Sequence, residues 1–470
     1  MNISSYSTAR EMLDALASKD ISARELLALH RERIEAVNCE VNALVSIDFD
    51  QAGQRAAEAD EAVAHGAWLG PLHGLPFGFK DTTDVAGWRS THGSPLMADH
   101  VPDADDLIAE RVRSAGAVTI AKTNVPEWAA GSHTFNPIFG TTRNPYDLSR
   151  SAGGSSGGAG AALAAGMLPL ADGSDMGGSL RNPASFNNVV GFRPSPGRVP
   201  TWPNATPWDA LAVQGPMART VDDAALLLSV IGEPTTRTPL SLDSPAGEFA
   251  RLSAAPLAGL KVGFSTDLGG SFPVDSGVRK IVEQQRQVFE SAGAHTADAY
   301  PDLTGAEDAF RTLRAWLFQI GLGPLLARDP DKFKATLAQN IRDGEALTGS
   351  GLAAAMAQQT LVYQRAREFF ADYDLLVMPV SQVPPFDAAM EYPAEIAGTQ
   401  MSSYLDWMRS AYFITVTGCP AISVPAGFTP EGWPVGVQLV APPRQDLRLL
   451  QIAKSFEELN PAGLRRPDLG

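Results

Sequence analysis

Cysteine is nearly absent from this chain: Cys39 and Cys419 are the only two in 470 residues. That excludes a disulfide scaffold and any zinc or iron–sulfur site built from thiolates, and it suits a reducing compartment. Basic charge is in deficit as well. Thirty-seven Lys and Arg stand against 53 Asp and Glu, a formal net charge of −16, the wrong sign for a nucleic-acid or anionic-membrane surface. No apolar run is long enough to cross a bilayer. The longest weakly polar stretch, 157–171, is rich in Gly and Ala and broken by Pro169. The N-terminus carries acidic residues and lacks the apolar stretch of a signal peptide. The sequence thus predicts a cytoplasmic protein without nucleic-acid or membrane partners. Histidine is scarce too: seven residues, none in a catalytic or metal-binding pattern, so no metal site is expected.

What is present reads as globular, with 44% apolar and 19% charged residues, enough to bury a large core. Two amphipathic helices open the chain, each with a capping-box pair, Thr8 with Glu11 and Ser22 with Glu25. A short strand at 43–47 and an Ala/Glu-rich helix to about His65 follow. Residues 66–220 alternate short apolar runs (75–79, 118–121) with helical stretches (106–114) and turns, which predicts an α/β architecture. From about 275 to 372 the pattern is helical and more charged. LLVMP at 375–379 returns to the core, 383–401 reads as a Pro/Ala-rich surface loop, and two strands joined by a turn close the chain. No repeat or linker is visible.

Three segments carry the chemistry: GLPFGFKDT at 74–82, AGGSSGGAG at 152–160 and GSDMGGSLRNPA at 173–184. Phosphate cradling fails on inspection. The Gly-Lys-Ser/Thr of a P-loop is missing after Ser155-Ser156-Gly157-Gly158, and Gly158-Ala159-Gly160 lacks the third glycine of a dinucleotide turn. A serine nucleophile needs a base and N–H donors for the oxyanion. No histidine offers itself, and there is no G-x-S-x-G elbow. Lys80 ends an apolar run, where burial would favour its neutral form and let it take a proton from a serine. The glycines of 175–179 would let backbone amides approach a ligand. Gly/Ser runs are more often plain turns, so residue chemistry alone leaves a Ser/Lys hydrolase as one candidate.

These segments, together with AKTNVPEW, GPMARTVDDAALLL and GCPAISVPAGFTPEGWPVGVQLVAP, resemble the amidase signature family over roughly 5–220 and 374–442. The resemblance implies one large α/β domain (1–470) with a mixed twisted central sheet covered by helices on both faces. Its parts would be an N-terminal helical part (1–65), a signature core (66–230), a variable, mostly helical part (235–373) and a C-terminal return to the sheet (374–470). It implies a Ser–cis-Ser–Lys triad: nucleophile Ser179, bridging Ser155 and base Lys80. Residue chemistry does not separate Ser155 from Ser156; the 24-residue spacing to Ser179 selects Ser155. Gly154 would precede the cis bond. Met176, Gly177, Gly178 and Ser179 would supply oxyanion N–H groups, with Asp175 and Arg181 stiffening the loop. No cofactor or metal is implied.

The chain departs from family patterns in places. It reads Asn124-Val125-Pro126-Glu127-Trp128 where amidotransferase subunits have an Asn-Leu-Asp-Glu-Phe-type segment, and Met176 where Thr is common. Nearby aromatics, including Phe139, Trp202, Trp208 and Tyr412, point to an apolar substrate, with Trp128, Phe135, Arg198, Tyr404 and Trp407 as candidate pocket residues. The resemblance thus implies cleavage of apolar or aromatic amides, with carbamates or esters, and more distantly an amidotransferase subunit, among the alternatives. A monomer or homodimer is expected. A cysteine hydrolase using Cys39 or Cys419, and a non-catalytic subunit, complete the alternatives.

Overall fold

The capping boxes form as the spacing predicts: Thr8 and Ser22 each accept from the backbone of the glutamate three residues on, which reaches back in turn, starting α1 (Ala9–Ser18) and α2 (Ala23–Val41). Both helices lay an apolar stripe on the core through Met12, Leu16, Leu26 and Ile34. Helix α3 (Phe49–Ala64) is capped by Asp48. The computed structural model describes residues 3–469.

Eleven strands build one sheet: β1 (Leu44–Val45), β2 (Pro76–Lys80), β3 (Val118–Thr123), β4 (Leu170–Asp175), β5 (Val190–Arg193), β6 (Val213–Ala218), β7 (Lys261–Phe264), β8 (His295–Asp298), β9 (Leu375–Pro379), β10 (Ala421–Phe428) and β11 (Pro434–Val440). Their spatial order is β1-β3-β2-β4-β6-β5-β10-β11-β9-β7-β8. The sheet is mixed, with β2 parallel to both β3 and β4, and β4 antiparallel to β6. Strands β2, β3 and β11 are buried along their whole length, as a sheet covered by helices on both faces requires. The helices between and after these strands include α4 (Leu107–Ser114), α7 (Val221–Ile231), α8 (Ser276–Ser291), α11 (Gly349–Asp372) and α13 (Asp446–Leu459). One apolar core runs through the molecule, and a smaller cluster forms under α9 (Ala306–Arg328) and α10 (Ala335–Glu345). This is the single large α/β domain expected.

The mostly helical stretch 235–373 also holds β7 and β8, which extend the sheet edge. Their four-residue lengths are too short to stand out from the helical periodicity around them. The segment 383–401 is not wholly a surface loop. Val383 and Phe386 are buried, and the Phe386 ring packs edge-on against Trp407 and Phe186.

The parallel pair β2–β4 positions the site. Phe77 lies opposite Leu170 and Gly78 opposite Ala171, so Lys80 and Asp175 leave the sheet at the same edge, beyond the strands' carboxyl ends, where such sheets bind ligands. Helix α5 (Gly157–Ala164) enters the core completely buried. Its first turn abuts backbone: a Cβ on Gly158 would lie 2.2 Å from Asn124 N and 2.6 Å from the Ala43 carbonyl oxygen. That close approach is what the glycines of this segment permit.

Candidate active site

Lys80 is the last residue of β2 and is fully buried. Its backbone N–H donates to Asp172 Oδ1 at 2.6 Å, and Thr83 Oγ1 donates to the other carboxylate oxygen at 2.7 Å. The Lys80 side chain meets only hydroxyls. Nζ donates to Ser155 Oγ at 2.8 Å, Ser156 Oγ at 3.0 Å and Ser174 Oγ at 2.8 Å. Burial lowers its pKa to about 7, against the upward pull of Asp172 and Asp175. A lysine poised there is neutral in a large fraction of molecules near neutral pH, and a neutral amine accepts a proton.

The three hydroxyls are not equivalent. Ser156 Oγ also accepts from the Ser174 N–H, at 3.4 Å. Among the described residues Ser155 Oγ is bound to Lys80 alone and keeps capacity for a further partner. The Gly154–Ser155 peptide is cis. Among the described residues nothing hydrogen-bonds to Ser179 Oγ, whose residue is partly exposed.

The turn after β4 is organised by Asp175. This fully buried carboxylate accepts from Gly178 N–H at 3.0 Å and Leu180 N–H at 3.2 Å. Arg181, in the first turn of α6 (Arg181–Phe186), holds both of its oxygens, at 2.9 and 3.0 Å. Arg193 adds a third contact at 3.2 Å. Burial alone would raise Asp175, but Arg181 and Arg193 outweigh it and hold the carboxyl well below the usual range. Gly178 has φ of +105°, and a Cβ there would come within 2.5 Å of Ala411 Cβ.

This corrects one expectation. The Gly178 N–H is committed to Asp175, so it is not a free oxyanion donor. Among the described residues the N–H groups of Met176, Gly177 and Ser179 have no hydrogen-bond partner. Unpaired amides in a partly buried turn form a nest for an anion.

Beside Ser174 and Met176 lies a cavity of about 450 Å³, within the range of small-molecule sites. Its lining combines apolar residues, Met176, Ala212, Val213, Leu317 and Phe318, with polar ones, among them Asp84, His92, Asp106, Thr201, Asn204 and Gln214. Burial there raises the Asp106 carboxyl to about 6.

None of the five expected pocket residues lines this cavity, whereas Met176, expected to supply an oxyanion N–H, does. Trp128 packs into the small cluster under α9 and α10 and meets the His92 ring at 4.9 Å. Phe135 lies under Lys334 Nζ, 5.1 Å from its ring centre. Arg198 donates to the Ser244 backbone and hydroxyl at 2.9 and 2.6 Å and covers the Phe249 ring, so it anchors a loop. Tyr404 Oη accepts from Arg314 and donates to Asn340, both at 2.6 Å. Trp407 is core, stacked on Phe186. Large aromatics bury wherever the core needs volume, and sequence neighbourhood does not say which wall they form.

Several site residues gave no sequence signal. Asp172 and Ser174 alternate along β4 beside Lys80. Lys122, one residue before the end of the neighbouring strand β3, is fully buried and donates to Ser90 Oγ at 2.8 Å and to the Thr83 carbonyl. Ser132, His133 and Thr134 brace residues 151–154. Ser132 Oγ donates to the Gly154 carbonyl at 2.6 Å and Thr134 Oγ1 to that of Gly153 at 2.8 Å. His133 Nε2 faces the Ala388 carbonyl at 3.0 Å, so Nδ1 is the acceptor for Ser151 Oγ at 2.7 Å. Burial lowers the His133 pKa to about 4, which keeps it neutral.

The amidase family model matches residues 25–450. An acylamidase of Rhodococcus erythropolis is 35% identical over 473 residues, covering 98% of this chain and 97% of its own. A glutamyl-tRNA(Gln) amidotransferase subunit of Moorella thermoacetica is 36% identical over 494 residues and 99% of both chains. Among solved structures, a bacterial aryl acylamidase superposes with a TM-score of 0.91 at 29% identity, covering 98% of this chain and 97% of that one. A 6-aminohexanoate cyclic dimer hydrolase reaches 0.89 at 28%, covering 99% and 100%. The class is that of the amide hydrolases. Within it, the chain belongs to the amidase signature family.

Among the described residues no helix is long and apolar enough to cross a membrane, and no group of His, Cys, Asp or Glu could hold a metal ion.

Proposed function

We propose that this protein is a serine amidohydrolase that cleaves the C–N bond of apolar or aromatic amides through an acyl-enzyme on Ser179. One observation carries the reading: a fully buried Lys80, its pKa lowered to about 7, donates to Ser155 Oγ at 2.8 Å beside a turn with three unpaired amides.

In this mechanism neutral Lys80 accepts the Ser155 proton as Ser155 accepts that of Ser179. The Ser179 oxygen attacks the substrate carbonyl carbon. The N–H groups of Met176, Gly177 and Ser179 hold the resulting oxyanion, a task worth about 2.7–4 kcal/mol per donor in a comparable enzyme. Ser155 returns the proton to the departing amine nitrogen as the C–N bond breaks. Water then attacks the acyl-enzyme by the same relay and frees Ser179. The Ser179–Ser155 contact is not made in the resting structure, and such bonds commonly tighten only when substrate binds. The apolar part of the cavity lining supports an apolar substrate portion, as does the likeness to an acylamidase and an aryl acylamidase.

Carbamates and esters would follow the same steps, with only the acyl group or leaving atom changed. The amidotransferase relatives favour a second reading, release of ammonia from a primary amide such as glutamine. A cysteine nucleophile fits poorly, because burial pushes the Cys419 thiol up to about 12 and Cys39 lies exposed on α2.

The test is a panel of p-nitroanilide, anilide, carbamate, ester and glutamine substrates against wild type and Ser179→Ala. The proposal expects turnover of anilides and loss of at least roughly a thousandfold in the variant. Undiminished turnover by Ser179→Ala overturns it, and turnover of glutamine alone replaces the substrate class.

A further inference from the structure

Two serines that must exchange a proton sit on different parts of the chain, one before α5 and the other before α6. Resting on the proposed hydrolase reading, we propose that Asn182 and Ser132 are positioning residues that set Ser155 against Ser179 across this gap.

The connection is continuous. Asn182 lies one residue into α6, three residues after Ser179. Its backbone N–H donates to the Gly178 carbonyl at 2.6 Å. Its side chain packs on Gly178 so closely that a Cβ there would lie 2.7 Å from Asn182 Nδ2. Asn182 is therefore rigidly part of the turn that carries Ser179. Its Nδ2 donates to Ser132 Oγ at 2.9 Å. Ser132 Oγ spends its only proton on the Gly154 carbonyl, at 2.6 Å. That carbonyl belongs to the peptide group whose nitrogen is Ser155's own. Ser381 closes the far end by donating to Asn182 Oδ1 at 3.1 Å, which fixes the amide's orientation.

Every atom of the relay is used, and its direction is set. Asn182 can only donate through Nδ2, so Ser132 must accept there and donate to Gly154. All three side chains are buried, Asn182 completely. Hydrogen bonds in such surroundings hold geometry tightly, because the alternative is an unpaired buried group. Thr134 and His133 brace the same loop, but they reach Gly153 and Ser151. The Ser156 N–H also donates to the Ser179 carbonyl at 3.2 Å, which ties the two segments on the far side of Ser155. The Ser132 bond holds the peptide on its near side and continues through Asn182 to the turn bearing Ser179.

The role predicts a pattern that general destabilisation would not produce. Ser132→Ala and Asn182→Ala each leave Gly154 less well held, so Ser155 drifts from the line between Ser179 and Lys80. Misplacement on the scale of an ångström costs roughly a hundredfold. We expect kcat on an anilide to fall roughly ten- to a hundredfold with KM within about twofold. The rate constant for labelling of Ser179 by a fluorophosphonate should fall by the same factor. Ser132→Thr keeps the hydroxyl and should recover most of both.

Kinetics are normalised to folded protein by circular dichroism and thermal midpoint. Where Ser132→Ala fails to fold, Ser132→Cys keeps the volume with a poor donor and serves in its place. A folded Ser132→Ala or Ser132→Cys that labels within twofold of wild type overturns the proposal, as does a threonine variant no better than alanine. The two readings fail separately. Turnover surviving in Ser179→Ala defeats the hydrolase assignment, whereas a dead Ser179→Ala beside a normal Ser132→Ala defeats only the positioning role.

Discussion

Asp175 and Arg181 face each other through two charge-assisted bonds, 2.9 and 3.0 Å long, with neither side chain exposed to solvent. Arg181 continues to the Ala411 carbonyl at 2.8 Å and to Thr415 Oγ1 at 3.0 Å, both in α12 (Arg409–Thr417). The pair ties the turn bearing Ser179 to a helix far along the chain. Removing Arg181 leaves the buried Asp175 carboxylate to Arg193 alone, and breaking a buried pair typically costs about 3–5 kcal/mol. Arg181→Met should show that loss in the denaturant midpoint at neutral pH. A change below about 1 kcal/mol would mean that Arg193 suffices to hold Asp175.

Activity should follow the charge state of Lys80. The neutral amine is the base, so kcat/KM should rise with pH and level off above an apparent pKa of about 7. Below it, each pH unit should cost about tenfold. A rate unchanged between pH 5 and pH 9 would exclude Lys80 as the titrating base.

The same lysine weakens the fold. Its pKa is lowered on burial from 10.5 to about 7, so the folded state disfavours the charge. The penalty is complete below pH 7 and fades as pH rises towards 10.5. Lys80→Met should be inactive, yet it should gain thermal midpoint relative to wild type at pH 6, an advantage that shrinks by roughly half at pH 9 and vanishes only near pH 10.5. A parallel pH dependence in the two proteins would contradict a buried, destabilising charge.

Gly158→Ala places a methyl group against backbone atoms of Asn124 and Ala43 that cannot step aside. Overpacking of this kind costs about 1–3 kcal/mol. Gly247→Ala, where nothing lies within 4 Å, is the control and should leave the midpoint nearly unmoved.

Phe318 lines the cavity beside Met176. Truncation to Ala should raise KM for anilides several-fold while leaving kcat largely intact, since the ring would contact ground and transition states alike. An equal fall in kcat with constant KM would place Phe318 at the reacting atoms instead.

The sequence made the general architecture legible where local signals were strong. The capping boxes at Thr8 and Ser22 began helices as drawn, and 75–79, 118–121 and 375–379 became strands of the sheet. Strands β7 and β8 were not legible, because four residues do not outweigh a helical background. The glycines of 153–178 pointed to close backbone contact, and Gly158 and Gly178 make it.

The sequence by itself determined the family, the charge deficit and the residue types available for chemistry, since motif spacing and composition are properties of the chain alone. The tertiary structure decided which of those residues meet. Parallel pairing of β2 with β4 brings Lys80 to Ser174 and Asp172, 92 and more residues away. Burial then lowers the lysine's pKa, and folding sends Trp407 to the core, Arg198 to a loop and the Gly178 amide to Asp175. Apart from the burial of Lys80, which its apolar run implied, these outcomes could not be read beforehand, because burial and hydrogen-bond partners depend on distances in space that sequence separation does not encode.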